Sequence, residues 1–457
     1  MAPGSAPEQW SSRLGFVLAG IGFAVGLGNI WRFPYIAGEN GGGAFLFVYV
    51  VCAFAIGLPL LITEFAIGRR GRGSAAGSIR AVAAEAGAST HWGKVGGLAV
   101  FCVFIILSYY SVLTGWTFDY LARAVSGSFA GMSSTDSASA FAALMGNPLR
   151  LLFWNTVVLA VVFLVVSRGV QAGVERASRI LMPARFVALV VMVAYGAIAG
   201  DIANAARFLL EPDFSRVSGR TLMVAIGQAF FSIGIGMGTL ITFGAYLPRD
   251  YSIGRSAAAI ILVDTSIAVL AGFAIFPLVF AHGLPPSSGA GLVFQALPLA
   301  FGQMPFGQVF GGIFFLLLIA AALSSCIGCS EAVVAWVDEH WGIRRRRGTL
   351  ATMIAAWLVG ILTVMSLGDW SDVYPLDFIP AFAHRTIFDT LDFLAANILL
   401  LLGASLTAIF FGWLVPRSLQ RGETGAREGF LFALWRLLIR YLIPLVLVAA
   451  LVTGIAE

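Results

Sequence analysis

The chain has 457 residues, of which 59% are hydrophobic and 11% are charged, and it carries a formal net charge of +5. A water-soluble protein of this length does not need so much apolar surface, whereas a membrane-spanning helix takes about 20 consecutive apolar residues. The composition excludes a soluble globular protein and predicts an all-α integral membrane protein, because such long apolar runs do not alternate as barrel strands do.

Eleven apolar runs follow one another along the chain, and we predict that each is a transmembrane helix. They cover roughly residues 14–35, 43–68, 95–122, 150–167, 180–199, 222–247, 255–281, 306–338, 349–367, 389–415 and 430–454, and we number them spans 1 to 11. The longest polar connection is 126–147, and the connections at about 200–221, 282–305 and 368–388 have room for short helices. The first twelve residues have no charged start and no cleavage site, so we expect no removable signal peptide.

Basic residues are distributed unevenly between alternate connections. If the N-terminus is cytoplasmic, the inner connections carry Arg69, Arg70, Arg72, Arg80, Lys94, Arg168, Arg176, Arg179, Arg249, Arg255, Arg344, Arg345, Arg346, Arg347, Arg417, Arg421 and Arg427. The outer ones carry only Arg123, Arg150, Arg207, Arg216, Arg220 and Arg385. The positive-inside rule therefore predicts a cytoplasmic N-terminus and, with eleven spans, an external C-terminus. The basic excess indicates topology, not a nucleic-acid-binding surface.

Glycines interrupt two spans that lie five spans apart. Span 1 is broken between Gly22 and Gly28, and span 6 is broken at Gly234-Ile235-Gly236-Met237-Gly238. Glycine in a membrane helix often serves close packing alone. Broken helices at matching positions of two halves, however, are typical of inverted-repeat transporters.

A break in a membrane helix creates a polar site, because unwinding frees backbone carbonyls and amides that must line a cavity or bind something. Carbonyl oxygens suit Na⁺, and amides at a half-helix N-terminus suit a carboxylate. The spans also contain polar side chains, namely Asn29, Asp264, Ser324 and Ser325. Asn and Ser often only bridge or cap helices, whereas a carboxylate in an apolar run indicates function. Together these features predict a site for a zwitterion and its coupling cations.

Several motifs are similar to those of a known family. They are AVGLGNIWRFP at 24–34, ENGGGAF at 39–45, Tyr109-Tyr110, GQAFFS at 227–232, Leu323-Ser324-Ser325 and Leu391-Asp392-Phe393. With these motifs the chain resembles the neurotransmitter:sodium symporters, especially their bacterial amino-acid members, from Trp10 to the last helix. The resemblance implies a LeuT-type fold of two inverted five-helix repeats with broken helices 1 and 6, and with span 11 outside them. It divides the chain into a cytoplasmic N-terminus (1–13), a first repeat (14–199), an outer loop (200–221), a second repeat (222–415) and span 11 with the C-terminus (416–457).

The resemblance also implies roles for individual residues. The substrate site would comprise Ala24, Leu27, Gly28, Ile106, Tyr110, Phe231, Ser232, Gly234, Met237, Ser325 and Cys329. Two sodium ions are expected, the first held by Ala24, Asn29, Ser232 and Asp264, and the second by Gly22, Val25, Ala321, Ser324 and Ser325. Arg32 and Asp392 would form an outer gate above a lid of Tyr110 and Phe231. Glu64 would brace unwound backbone, and Gly173 and Pro183 would allow span 5 to unwind at its inner end.

Three departures from the family pattern refine these expectations. Gly26 stands where biogenic-amine members carry Asp, which points to an amino-acid substrate. Many bacterial members have Asn at the position of Asp264 and Glu at that of Ala268. Because Asp264 can supply a fixed negative charge, we expect no chloride requirement. The arginine that closes the inner gate near Trp10 is missing, so either the gate is built differently or Arg13 substitutes.

The predicted function is a sodium-coupled importer of neutral, hydrophobic L-amino acids in a bacterial cytoplasmic membrane, acting as a monomer or weak dimer. The alternatives are small or imino acids as substrates, proton coupling through Asp264, a channel or an amino-acid sensor of the same fold, and a membrane enzyme. The enzyme is disfavoured because the four histidines, His91, His282, His340 and His384, fall in loops or at span ends. Cys326 and Cys329 form a CxxC within a helix without a second pair, so we expect no metal or redox site there.

Overall fold

The computed structural model describes residues 9–286, 291–425 and 429–456, and this part of the chain is helical without any strand. Residues 1–8 of the predicted N-terminal segment, Arg427 of the predicted inner connections and Glu457 lie outside the described residues.

Within these ranges, nine helices are long and apolar enough to cross a membrane: Gly43–Gly71, Thr90–Val125, Pro148–Val166, Val170–Ala199, Ile253–Ala281, Gly307–Trp341, Arg345–Leu367, Ile387–Leu414 and Phe430–Ile455. They correspond to spans 2 to 5 and 7 to 11. Span 1 consists of Arg13–Ala24 and Gly28–Glu39, which are bent by 49° and together form a tenth candidate. Span 6 is divided into the shorter helices Gly219–Ile233 and Thr239–Ala245. The count of eleven membrane crossings stays a prediction.

The helix ends agree with the predicted spans to within a few residues, except in span 5. That helix begins at Val170 rather than near 180, because the basic residues of its first turns resemble a loop in sequence. Gly173 lies in a π-helical turn, Val170–Glu175, and Pro183 lies inside the following helix, Arg176–Ala199. The connections carry the shorter helices Ala75–Glu85, Ser134–Met145, Ile202–Leu210, Leu292–Gln303 and Arg417–Thr424.

Serine side chains begin several spans by accepting a hydrogen bond from a free backbone amide. Ser12 caps span 1 by accepting from the Gly15 amide at 3.0 Å, and Ser218 caps span 6 by accepting from the Thr221 amide at 3.2 Å. Each capping residue fixes the residue at which its helix begins. The distance along the chain from that start to the glycines then determines how deep in the bundle the break lies.

The break in span 6 depends on glycine at alternate positions. Gly234, Gly236 and Gly238 have φ angles of +75°, +84° and +72°. Side chains are strained in this left-handed region, whereas glycine adopts it freely. The pattern GIGMG therefore specifies the break, because each glycine turns the backbone where a helix would continue.

The broken spans lie inside a scaffold of longer helices. Span 8 packs along span 3, the first half of span 1 packs against spans 5, 7 and 8, and the second half of span 6 packs against span 2. Large apolar side chains such as Leu149, Phe153 and Ile198 are exposed on the outside of the bundle. Such a surface suits lipid rather than water.

Candidate functional site

A small cavity lies where the two breaks face each other, between spans 3 and 8. It has a volume of about 30 Å³, enough for about two water molecules. Its lining consists of Phe23, Ala24, Gly26, Gly28, Ile106, Tyr110, Phe231, Gly234, Met237, Ser325 and Cys329. All of these except Phe23 and Gly26 are residues predicted for the substrate site. Two predicted residues, Leu27 and Ser232, lie beside the cavity without lining it.

At the break in span 1, two backbone amides bond side chains instead of the carbonyls four residues earlier that they would bond in a continuous helix. The Gly26 amide donates to Asn29 Oδ1 at 3.2 Å, and the Leu27 amide donates to the Tyr110 hydroxyl oxygen at 2.8 Å. The carbonyls of Gly22 and Phe23, four residues earlier, therefore lose their helical donors. The Phe23 carbonyl accepts instead from Ser325 Oγ at 2.9 Å.

The break in span 6 has the same effect on its carbonyls. The Gly236 amide donates to Glu64 Oε1 at 2.7 Å, and the Ile235 amide bonds the Phe230 carbonyl at 3.3 Å. In a continuous helix these two amides would bond the Ser232 and Phe231 carbonyls. Glu64 is fully buried. Through Oε1, one of its two carboxylate oxygens, it holds the unwound segment of span 6.

Two glycines in the cavity wall leave no room for a side chain. A Cβ atom at Gly26 would lie 2.5 Å from Ser325 Oγ and 2.7 Å from the Tyr110 hydroxyl oxygen. A Cβ atom at Gly234 would lie 2.4 Å from the Phe23 ring. Gly234 lines the cavity, but the space into which a side chain at this position would point is taken by Phe23.

A cluster of buried oxygen-bearing side chains lies next to the cavity, on spans 1, 6 and 7. Asn29 Nδ2 donates to Asp264 Oδ1 at 2.8 Å and lies 2.8 Å from Ser232 Oγ, and Ser232 Oγ donates to Asp264 Oδ2 at 2.9 Å. The Tyr49 hydroxyl adds a bond to Asp264 Oδ2 at 3.2 Å. The three side chains predicted for the first sodium site are thus in mutual contact. Tyr49 was not predicted, since a tyrosine in an apolar run is ordinarily a packing residue.

An ionised Asp264 carboxylate makes this cluster negative, and Asp264, Ser232 and Tyr49 direct oxygen atoms into it, whereas Asn29 directs its Nδ2 atom. Asp264 is fully buried, and no Lys, Arg or His of the described chain lies within ion-pair distance of its carboxylate. A buried unpaired carboxylate is unfavourable unless a cation approaches it. Ala24, which ends the first half of span 1, lines the adjacent cavity. This donor set fits a small hard cation such as Na⁺.

A second cluster surrounds the opposite side of the span 1 break, and a cationic side chain reaches into it. The guanidinium of Arg185, on span 5, donates to the Val25 carbonyl at 2.7 Å, to Ser324 Oγ at 3.0 Å and to the Gly22 carbonyl at 3.4 Å. These three residues were predicted to bind the second sodium ion. The other two, Ala321 and Ser325, are joined through the Ala321 carbonyl, which accepts from Ser324 Oγ at 2.8 Å and from Ser325 Oγ at 3.5 Å.

Arg185 was missed by the sequence analysis, although its signal was present. It is 1% exposed and lies in the middle of an apolar stretch, directly after Pro183-Ala184. The rule that singled out Asp264, that an ionisable residue within a membrane span indicates function, applies equally to Arg185.

The predicted outer-gate residues face the same region without forming an ion pair. Arg32 lies over the Phe231 ring, with Cζ 4.3 Å from the ring centroid. Asp392 interacts electrostatically with the hydroxyl groups of Tyr35 and Tyr109, as Arg32 also does. Among the described residues, no ion pair within 4 Å joins Arg32 to Asp392.

The opposite end of the bundle is closed around Trp10. This indole is 3% exposed and donates from Nε1 to the Phe243 carbonyl at 3.0 Å. Beside it, the Ser11 amide donates to Glu175 Oε2 at 2.9 Å, and Arg179 bonds Glu175 at 2.6 Å and Ser11 Oγ at 2.9 Å. Arg179, on span 5, is thus the arginine bonded beside Trp10 in this structure.

Comparisons with known proteins agree with this geometry. The model of the Sodium:neurotransmitter symporter family matches residues 7–139 and 148–456. The chain belongs to the sodium:neurotransmitter symporter family. An uncharacterized sodium-dependent transporter, YhdH, of Bacillus subtilis is 37% identical over 97% of this chain and 96% of its own length. An uncharacterized sodium-dependent transporter of Haemophilus influenzae is 32% identical over 98% of both chains.

A solved structure of similar fold is the crystal structure of MhsT in complex with L-phenylalanine. It has a TM-score of 0.90 and 37% sequence identity, and the match covers 98% of this chain and 100% of that one. The predicted LeuT-type, all-helical fold is therefore confirmed. As a member of the sodium:neurotransmitter symporter family, the chain is a multi-pass membrane transporter that depends on sodium, and not an enzyme.

Proposed function

We propose that the chain imports neutral, hydrophobic L-amino acids together with Na⁺, by alternating access and without chloride. It does so in a bacterial cytoplasmic membrane, with its N-terminus inside and its C-terminus outside, as a monomer or weak dimer. One observation carries the proposal: an apolar cavity with freed backbone groups lies directly beside a buried, negatively charged oxygen cluster.

The carboxylate of the amino acid binds at the break of span 1. The Tyr110 hydroxyl oxygen accepts from the Leu27 amide, so its proton is available for an external acceptor. The first turn of the half-helix that begins at Gly28 adds a positive dipole end. The Leu27 amide therefore contributes mainly by orienting the Tyr110 hydroxyl, whereas Tyr110 and the Gly28 amide contact the carboxylate directly.

The ammonium group of the amino acid binds carbonyl oxygens at both breaks. The Phe231 and Ser232 carbonyls would accept from the Ile235 and Gly236 amides in a continuous helix. Here the Ile235 amide bonds the Phe230 carbonyl and the Gly236 amide bonds Glu64, so both carbonyls lose their helical donors. Ala24 ends the first half of span 1 and lines the cavity, and its carbonyl supplies the third acceptor. Three carbonyl oxygens match the three donors of an ammonium group.

The side chain of the substrate meets an apolar wall. Ile106, Phe231, Met237 and Cys329 line the cavity, which has no charged residue. A charged substrate side chain would be left unpaired there, at a cost of several kcal/mol. Met237 is flexible and can adapt to different shapes. The L-phenylalanine in the MhsT structure, a chain of 37% identity, supports an apolar amino acid as substrate.

Sodium binds at the cluster of Asn29, Ser232 and Asp264, together with the Ala24 carbonyl and the substrate carboxylate. Asp264 provides the negative charge that other members obtain from bound chloride, since Ala268 provides none. Gly22, Val25, Ala321, Ser324 and Ser325 form a second cation position on the other side of the break. Rotation of the Asn29 amide would turn its oxygen toward the ion, since the Nδ2 atom now faces Asp264.

Alternating access uses closures at the two ends of the bundle. Arg32, Asp392, Tyr110 and Phe231 close the outer side, and Trp10 with its neighbours closes the inner side. The π-helical turn at Gly173 and the proline at position 183 allow the inner end of span 5 to unwind for release.

A second candidate substrate class is small neutral or imino acids. The cavity of about 30 Å³ favours it, because less movement of the wall is needed to admit glycine, alanine or proline. A panel of labelled amino acids separates the two classes: uptake of leucine, methionine and phenylalanine above glycine, alanine and proline supports our proposal, and the reverse order rejects it.

The decisive experiment measures concentrative uptake into proteoliposomes with a sodium gradient, a proton gradient or neither. We expect uptake only with the sodium gradient, and none when K⁺ replaces Na⁺. Full uptake driven by protons in sodium-free buffer would contradict the proposal. Counterflow of labelled substrate distinguishes a transporter from a sensor, because a sensor binds the amino acid without exchanging it across the membrane.

A further inference from the structure

The second cation position already contains a positive group, the guanidinium of Arg185. Its Nη1 atom bonds the Val25 carbonyl, Ser324 Oγ and the Gly22 carbonyl, and its Nη2 atom bonds the Ile21 carbonyl at 3.1 Å. These oxygens come from the broken turn of span 1 and from span 8. Three of them, from Gly22, Val25 and Ser324, belong to the residues predicted to coordinate the second ion.

The environment of Arg185 is built to hold a guanidinium. Its Nε atom lies 2.7 Å from Met182 Sδ, so hydrogen-bond partners surround all three nitrogen atoms. The planar group presents five donors and keeps its proton in proteins. No carboxylate of the described residues lies within 4 Å, and Asp264 is the acidic group that interacts with Arg185 from farther away.

A sodium ion could not share this position. The Val25 and Gly22 carbonyls and Ser324 Oγ face the guanidinium, and the Ala321 carbonyl is bonded by two serine hydroxyls. An ion placed among them would also lie beside a like charge in a buried region, where repulsion is little screened. At the first cluster the situation is reversed, because no cationic side chain of the described residues lies within 4 Å of the Asp264 carboxylate.

We infer that Arg185 is a built-in cation that replaces the second sodium ion, so that one Na⁺ accompanies each amino acid instead of two. This inference rests on the proposed function, since it assumes that the first cluster binds the transported ion. It changes the driving force of transport: the limiting accumulation ratio depends on the first power of the sodium gradient, and one positive charge moves with each zwitterionic substrate.

The test counts sodium ions on the purified, full-length chain by equilibrium binding of ²²Na⁺, with L-phenylalanine present and absent. We expect one ion per chain, and loss of that ion in Asp264→Asn when the buffer contains no chloride. Two ions per wild-type chain would overturn the inference and leave the proposed function intact. No bound ion would overturn both.

Variants of Arg185 then test whether the guanidinium is the cause. Arg185→Gln removes the charge and should allow a second ion, so the count should rise from one to two. Arg185→Lys is the matched control, because it keeps the positive charge and should keep the count at one. A count of one in a folded Arg185→Gln chain would show that the guanidinium does not exclude the ion, and the inference would fall. The wild-type count decides the question if that variant does not fold.

Discussion

Asn29 donates a hydrogen bond of 2.8 Å from Nδ2 to Asp264 Oδ1, and both side chains are fully buried. Through its oxygen, Asn29 also accepts from the Gly26 amide inside the break of span 1. The conformation of the break and the carboxylate of span 7 are therefore linked by a single side chain. A ligand that changes one of them changes the other.

The first prediction concerns the charge of Asp264. Asp264→Asn should lose most sodium-dependent uptake, or should gain a chloride requirement, because the amide cannot supply the negative charge that the site needs. Uptake is measured with chloride present and with gluconate in its place. Normal uptake of the variant in chloride-free medium would contradict this role.

Asp119 offers a matched control for that experiment. Its carboxylate is also buried in a span, but it is paired with Arg123 at 2.7 Å and with Arg150. Asp119→Asn should lower thermal stability, since it leaves two arginines without their partner, while the dependence on sodium and chloride stays that of the wild type.

The second prediction concerns Glu64, which holds the unwound part of span 6. Glu64→Ala leaves the buried Gly236 amide without an acceptor, which should reduce the free energy of unfolding by about 1–3 kcal/mol and impair transport. Glu64→Gln keeps an acceptor oxygen and should lose less of both. Thermal unfolding in detergent and initial uptake rates measure the two effects, and equal losses in the two variants would argue against a bracing role.

The third prediction concerns Gly234. Gly234→Ala should impair the uptake of every substrate to a similar degree, because the new Cβ atom meets the Phe23 ring at 2.4 Å and the φ angle of +75° disfavours a side chain. Overpacking of this kind costs about 1–3 kcal/mol. A loss confined to large substrates would show instead that position 234 faces the substrate.

Gly227 is the matched control for this glycine. It lies in the helical part of span 6, and a Cβ atom there would have no neighbour within 4 Å. Gly227→Ala should leave uptake and stability near wild type. Adding Phe23→Leu to Gly234→Ala should recover part of the lost activity, because it removes ring atoms from the contact.

The fourth prediction concerns the outer gate. Arg32→Ala and Asp392→Ala should each reduce transport, and the double variant should lose less than the sum of the two, if the residues meet during the cycle. No ion pair within 4 Å joins them in this structure, so a non-additive effect on transport would report a contact made in another state of the cycle. Strict additivity in transport would mean that the two residues never interact.

The residues themselves were sufficient to predict the two breaks, for a physical reason, whereas the residues of the cavity lining were predicted from the resemblance to the family. Glycines at 234, 236 and 238 in a membrane helix indicate either positive φ angles or close packing of helices. The second glycine-rich break, five spans earlier, favoured positive φ angles, which the structure has at all three positions. The same holds for Asp264, because a carboxylate is rare in an apolar run.

Other features depend on side-chain directions that a sequence does not show. The ring of Phe23 takes the space beside Gly234 because the left-handed turn points the missing Cβ atom toward span 1. Whether Arg185 faces lipid, a loop or the break depends on the rotation of span 5 about its axis. That rotation is set by packing against spans 1, 7 and 8. The start of span 5 was misplaced because Arg176 and Arg179 lie within its first turns.

The closure at Trp10 combines two kinds of contact that respond differently to ionic strength. Arg179 is 47% exposed, so dissolved ions screen its attraction to Glu175, whereas the buried indole contacts of Trp10 are not screened. Raising the salt concentration on that side of the membrane therefore weakens only the polar part of the closure. We therefore expect the composition of the surrounding solution, and not only the substrate and its coupling ion, to influence how readily that end opens.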